Sequence, residues 1–97
     1  MSREVTDAVL DKYEALTRRA LEKARVAAPE RSHFRRLAED FRKMASDYAQ
    51  DAQHFRQKGD AVRAYGALNY AHAWLDAGAR LGLFDVDGDD ELFTLAQ

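Results

Sequence analysis

Apolar residues recur at spacings of three and four along most of the chain, which is the pattern of helices with one buried face. The first stripe predicts a helix from about Arg3 to about Ala27, with Ser2 as its N-cap. Its members are Val5, Val9, Tyr13, Leu16, Ala20, Ala24 and Ala27. Pro29 cannot continue this helix, but it suits the first turn of the next one.

The second stripe predicts a helix from about Glu30 to about Lys58, whose aromatic and Met-sized residues should anchor the core. It consists of Phe34, Leu37, Phe41, Met44, Tyr48, Ala52 and Phe55. Gly59 suits the left-handed position after a helix end, and Asp60 suits the N-cap of a third helix that runs to about Leu81.

Gly82 marks the end of the third helix, and Leu83 is the apolar residue that often follows such an end. Because the turns at 28–30 and 59–60 are short, consecutive helices should be antiparallel. The sequence therefore predicts an all-α protein, an up-down-up three-helix bundle over residues 1–84 with a short acidic C-terminal tail.

The tail stands apart from the rest of the chain by its charge. All 15 Lys and Arg residues lie within residues 1–84, whereas residues 85–97 hold five acidic residues and no basic one. We expect an acidic turn around Asp87 and Gly88 and then an extended segment, the one strand-like pattern in the chain. The third helix should end beside the turn between the first two helices, so the tail can fold back there. Its apolar anchors would be Leu92, Phe93 and Leu95.

A helical projection separates two sides of the third helix. Small residues lie along the middle of the packing face, with Leu68 and Leu75 at one margin and Trp74 and Leu81 at the other. The opposite side, predicted to face solvent, carries a set that we call the polar stripe: Tyr65, Asn69, His72, Asp76 and Arg80. Ordinary i,i+4 pairs on a solvated face are one interpretation of this stripe.

A second feature of the same helix indicates an interaction surface. Beside the polar stripe lie small residues and then a tyrosine, which we call the smooth flank: Gly66, Ala73, Ala77 and Tyr70. Such a surface suits contact with a second copy, with another protein or with the chain's own tail. We therefore expect a protein-interaction module that acts through the outer face of the third helix, which consists of the polar stripe with the smooth flank beside it, and self-association as one form of it.

The third helix also resembles the signature of the domain-of-unknown-function 357 family, a family of short, mostly archaeal proteins. The residues that carry the resemblance are Gly59-Asp60, Ala64, Ala67, Tyr70-Ala71, Trp74 to Gly78, Arg80 and Gly82. The resemblance is strongest over residues 59–84. It implies a small three-helix bundle and an archaeal source, and it implies no established activity, cofactor or catalytic residue. Asp76 and Arg80 are therefore only the first positions to test.

The sequence contains few of the motifs that catalysis or metal binding requires. We therefore expect no enzyme, no catalytic residue and no cofactor. The chain has no cysteine, no nucleophile motif around a serine and no glycine-rich phosphate loop. His72 and Asp76 could supply two metal ligands, whereas zinc needs three or four. Residues 85–96 match an EF-hand loop only superficially, because Gly88 stands at position four and Ala96 at position twelve.

Nucleic-acid binding is the alternative function, because basic residues cluster around the turn between the first two helices. The candidate polyanion-binding residues are Arg18, Arg19, Lys23, Arg31, Arg35 and Arg36. Against this hypothesis, few aromatic residues accompany them, and the isoelectric point of the chain is only about 5.9.

The chain has no apolar run near the ~20 residues that a membrane span needs. Its first residues are charged and lack a secretory apolar core. With the absence of cysteine, this favours a soluble, cytoplasmic protein without a membrane partner.

Overall fold

Three helices hold most of residues 4–27 and 29–93, which are the residues described by the computed structural model. They are α1 (Asp7–Lys23), α2 (His33–Gln57) and α3 (Ala61–Arg80). The prediction of an all-α three-helix bundle is confirmed, and α2 and α3 pack closely along their lengths. Over the described residues, no helix is long and apolar enough to cross a membrane.

Helix α1 is shorter at both ends than the sequence predicts. It begins after Thr6, whose Oγ1 accepts a hydrogen bond from the N–H of Val9 at 3.2 Å. The predicted cap Ser2 lies outside the described residues. The helix ends at Lys23 and not at Ala27, because the chain there turns into a short strand.

That strand, β1 (Arg25–Val26), pairs antiparallel with β2 (Phe84–Asp85). The expectation that only the last residues could be extended was therefore wrong. Two-residue strands are too short to produce the alternating pattern that identifies a strand in a sequence. The pair ties the end of α1 to the chain that follows α3.

Helix α2 begins at His33, so the predicted start at Glu30 was early. Ser32 is the N-cap, and its Oγ accepts a hydrogen bond from the N–H of Arg35 at 3.0 Å. Pro29 therefore lies before the helix and not in its first turn. Its carbonyl accepts hydrogen bonds from both the N–H and the hydroxyl of Ser32.

The ends of α2 and α3 follow the predicted turn chemistry. Gly59 and Gly82 have φ of +78° and +77°, the left-handed region that favours glycine. After α3, the N–H of Leu83 donates to the carbonyl of Gly78 at 2.9 Å, which closes the helix end. Asp60 caps α3 and accepts a hydrogen bond from a backbone N–H in its first turn at 3.1 Å.

Small residues, and not the predicted aromatic ones, form the centre of the contact between α2 and α3. The two buried rows each repeat every seven residues, and they are Ala38, Ala45 and Ala52 on α2 and Ala64, Ala71 and Gly78 on α3. Small side chains at a helix contact allow the two axes to approach closely. Phe34 and Leu81 were expected in the core, but they are 62% and 68% exposed.

Helix α1 lies on one side of the α2–α3 pair and buries residues that its predicted stripe omitted. Leu10 and Thr17 are buried, whereas Val9 and Tyr13 are only half-buried. Arg56 of α2 fixes α1 through contacts with Asp11 at 2.7 Å and with Glu14 at 3.0 Å. The Asp11 carboxylate is the main cause of a raised Arg56 pKa.

Candidate functional site

The polar stripe of α3 does not face solvent as one surface. Asn69 and Arg80 are exposed, but Tyr65, His72 and Asp76 are half-buried. This corrects the prediction of a solvent-facing stripe. The cause is tertiary, because α1 and the residues after β2 lie against the same side of the helix.

His72 is the point at which the C-terminal segment is fastened to α3. Its Nε2 lies 2.6 Å from the carbonyl oxygen of Leu92, and its ring lies against Phe93 with centroids 6.3 Å apart. Because a carbonyl can only accept, Nε2 carries the proton. The same nitrogen lies 3.7 Å from Oδ1 of Asp76. His72 is therefore engaged in holding the tail, and Asp76 lies beside it.

A cleft of about 230 Å³ opens between α1, α3 and this segment. It is lined by Tyr13, Leu16, Asn69, His72, Ala73, Asp76, Glu91 and Leu92. The side-chain hydrogen bond between Tyr13 and Tyr65 favours the neutral Tyr13 hydroxyl and raises its pKa above the ordinary 10.0. Within residues 4–27 and 29–93, no group of three or more His, Cys, Asp or Glu residues could hold a metal ion.

The smooth flank lies next to this cleft on α3, and Ala73 borders both the cleft and the flank. Gly66, Ala73 and Ala77 are exposed, and Tyr70 is 48% exposed. The flank contains no charged residue, and it borders a series of aromatic rings on the surface of the α2–α3 pair.

We call this series the aromatic row, and it consists of Phe41, Tyr48, Phe55, Tyr70 and Trp74. The ring centroids of Phe41 and Trp74 are 4.9 Å apart, and those of Tyr48 and Tyr70 are 4.5 Å apart, both in edge-on geometry. At the third level, the guanidinium of Arg63 lies 5.9 Å from the centre of the Phe55 ring. The row therefore has three cross-helix rungs.

Two shallow clefts follow the row, and Tyr70 borders both. The larger, of about 400 Å³, includes Asp51, Arg63 and Gly66, and the smaller, of about 170 Å³, includes Ala73 and Ala77. The helical pattern predicted Phe41, Tyr48 and Phe55 as core residues and Tyr70 as part of the smooth flank, so it did not predict one row. Phe41, Phe55 and Trp74 are partly buried and pack against the core. The seven-residue spacing of Phe41, Tyr48 and Phe55, next to the seven-residue spacing of three alanines, was the available signal.

The candidate polyanion-binding residues do not form one free basic surface. Arg18, Arg19, Arg31 and Arg36 are exposed, but Arg35 pairs with Glu39 at 3.1 Å. The acidic segment after β2 reaches the same end of the molecule. Lys23 pairs with Asp89 at 3.3 Å, and Arg25 pairs with Asp87 at 2.9 Å and with Asp85 at 3.6 Å.

A comparison with known protein families identifies the family of this chain. A family model described as a protein of unknown function, DUF357, matches residues 12–84. The chain belongs to the DUF357 family. No curated protein and no solved structure matches this DUF357 protein. The match extends from α1 to the first residue of β2, so the acidic segment lies after it.

The residues that carried the family resemblance have clear structural positions in the DUF357 protein. Gly59 and Gly82 follow α2 and α3 in left-handed conformation. Gly78 lies in the buried row of α3. Tyr70 and Trp74 belong to the aromatic row, and within the described residues the buried Nε1 of Trp74 has no hydrogen-bond partner. The motif therefore includes the helix ends, the α2–α3 contact and two members of the aromatic row.

Proposed function

We propose that the DUF357 protein is a non-catalytic interaction module that binds a protein surface through the smooth flank and the aromatic row. The observation that carries this proposal is the exposed strip from Gly66 to Ala77, which has no charged residue of its own and is bordered by aromatic rings. The proposal moves the working surface from the polar stripe to the smooth flank and the aromatic row.

The chemistry of this strip suits a partner with a helical or flat surface. Tyrosine, tryptophan and arginine are the residues that most often carry binding energy at protein interfaces, and the row contains the first two with Arg63 beside them. The small residues of the flank would allow a partner backbone to approach closely. An exposed apolar surface of this kind, with polar residues around it, is typical of interaction sites.

A non-catalytic role is supported by the engagement of the polar groups. His72, the best candidate for acid–base work, holds the carbonyl of Leu92. Nucleic-acid binding at the basic end is the weaker proposal, because Lys23 and Arg25 already pair with carboxylates of the same chain. It retains support from Arg18 and Arg19, which are exposed.

The test is affinity capture from an extract of cells that naturally produce the protein. Wild-type protein is compared with Ala73→Arg, which places a long charged side chain on the flank. The matched control is Gln50→Arg, which adds the same charge at an exposed position of α2, two residues from Tyr48 and so on another side of that helix.

We expect the wild type and the control to retain the same proteins and Ala73→Arg to lose them. Circular dichroism of each variant establishes that the helices are intact. If the Ala73→Arg variant is folded and captures the same proteins as wild type, the proposed surface is wrong.

A further inference from the structure

We infer that the aromatic row docks a second copy of this chain, in a two-fold dimer whose axis runs along α2 and α3. This inference names the partner of the proposed function and rests on it. It depends on two properties of the row, which are its order along the helices and the placement of charges at its margins.

The order of the rungs makes the surface self-complementary. The rungs are Phe41 with Trp74, Tyr48 with Tyr70, and Phe55 with Arg63. At a rise of 1.5 Å per residue they extend about 21 Å along α2. A two-fold axis parallel to the helices keeps each rung at its own level and exchanges α2 with α3. Every rung then faces the same rung of the second copy, as an isologous interface requires.

The charges at the two edges of the row favour an axis along the helices over an axis that runs across them. The α2 edge of the row carries Asp40, Asp47 and Asp51, and Lys43 pairs with Asp47 at 2.7 Å. On the α3 side the row carries Arg63, whose Nε lies 3.5 Å from a carboxylate oxygen of Asp60. An axis across the helices would place the acidic α2 margins against each other. An axis along the helices places the acidic α2 margin of each copy against Arg63 of the other copy.

Asp51 and Arg63 are the pair that this geometry brings together. Both border the larger cleft of the row, yet no ion pair joins them within one chain, and Asp51 has no ion pair in the described part of the chain. Arg63 forms a rung with Phe55, and Asp51 lies about one helical turn from Phe55 on α2. Across the dimer, the long Arg63 side chain of one copy reaches toward Asp51 of the other. Complementary charges of this kind fix register and orientation at an interface.

The experiment uses the full chain and follows its molar mass by light scattering over roughly a hundredfold range of concentration. We expect the apparent mass to rise from the 11.0 kDa of one chain toward twice that value. Trp74 is the one tryptophan in the sequence, so its fluorescence should shift to shorter wavelength over the same range. Ala73→Arg should raise the dissociation constant at least about tenfold, and Gln50→Arg should leave it unchanged.

The charge geometry is tested by mixing two variants. Asp51→Arg and Arg63→Asp should each weaken the dimer at least about tenfold, because like charges then meet across the interface. In an equimolar mixture of the two single variants, both cross-chain contacts join opposite charges, so dimers should form again. An effect confined to one chain cannot be rescued by mixing, so failure of the mixture to associate overturns the proposed orientation.

The outcomes separate this inference from the proposed function. A chain that remains monomeric at every concentration overturns self-association, and the capture experiment with Ala73→Arg still tests the proposed function. A dimer that is unaffected by Ala73→Arg and by both charge reversals lies on another surface and also overturns the inference.

Discussion

Gly78 illustrates how a side chain in a different secondary-structure element can require a particular residue type. The ring of Phe84 in β2 lies directly over the α3 backbone at this position. A Cβ added to Gly78 would lie only 2.6 Å from Cδ2 and 3.2 Å from Cζ of that ring. The helical pattern places a small residue on the packing face, but it contains no information about the aromatic ring that requires this residue to be glycine.

We expect Gly78→Ala to lower the free energy of unfolding by about 1–3 kcal/mol, because Phe84 must move to admit the new methyl group. Gly66→Ala is the matched control, since it lies in the same helix with nothing within 4 Å of an added Cβ. There, alanine should raise stability by about 0.5–1 kcal/mol through helix propensity. Urea denaturation measures both, and equal effects of the two substitutions would contradict this view of Gly78.

At the scale of elements, the segment from β2 to Phe93 is an integral part of the packing around α1 and α3. Val86, Leu92 and Phe93 are buried, and Asp89 accepts hydrogen bonds from the N–H groups of Glu91 and Leu92. Leu95, the third expected anchor, lies outside the described residues. The segment is therefore held by apolar burial, by backbone hydrogen bonds and by ion pairs with the basic end.

Asp89 should make this docking sensitive to acid. The hydrogen bond from the Leu92 backbone is the main cause that lowers the pKa of Asp89 below its ordinary 3.8, and Lys23 contributes in the same direction. The stabilisation is fully present above the ordinary value and disappears as the pH falls through the lowered one. Asp89→Asn should thus destabilise the protein at neutral pH, and the difference from wild type should shrink below about pH 4.

Urea denaturation of both proteins across this pH range measures the effect. Asp90→Asn, at an exposed neighbouring position, is the control. If the difference in free energy of unfolding between wild type and Asp89→Asn stays constant to the lowest pH measured, the stabilisation does not come from the ionised Asp89 carboxylate.

The acidic residues of the same segment should also restrain binding of polyanions. Changing Asp85, Asp87 and Asp89 together to Asn releases Lys23 and Arg25 while it keeps the apolar anchors. We expect this variant to elute from heparin at a higher salt concentration than wild type, because more cations can contact the sulfate groups.

A second triple variant, with Asn at Asp40, Asp47 and Asp51, makes the same change in net charge on another part of the surface. Equal shifts for the two triple variants would show a general charge effect. If the variant with Asn at Asp85, Asp87 and Asp89 elutes from heparin at the same salt concentration as wild type, the proposal of a polyanion-binding basic end loses its support.

At the scale of the whole molecule, the α2–α3 pair has two unequal faces. One carries α1 and the C-terminal segment, and the other carries the aromatic row without any covering element in the described part of the chain. The Cα atoms span 42 × 26 × 16 Å, so the protein is thin in one direction. A second copy on the open face would bury the rings from both sides.

If that face associates, thermal stability must depend on concentration, because the dimer stabilises only the folded chain. We expect the unfolding temperature of the wild type to rise with protein concentration, whereas that of Ala73→Arg should stay constant. Differential scanning fluorimetry at several concentrations measures both, with Gln50→Arg as the control that should follow the wild type. A wild-type unfolding temperature independent of concentration would contradict the prediction.

The sequence by itself determined the number of helices, the order of the chain and the chemistry of most helix ends. Gly59, Asp60 and Gly82 could be assigned because caps and turns act between residues at most about five positions apart. The start of α1 was displaced because Thr6 supplies a local cap, and its end was displaced because the chain there pairs with β2. The family could be recognised for the same reason, since its motif lies within one helix and its two ends.

Only the tertiary structure decided which apolar residues became core and which became surface. The hydrophobic period of α2 fits either the alanine row or the aromatic row as the buried centre, and the close approach of α3 selects the alanines. The pairing of Arg25 with Asp85 and the contact of His72 with Leu92 join positions far apart in sequence. No local pattern encodes such pairs, because their energy exists only after the helices have packed.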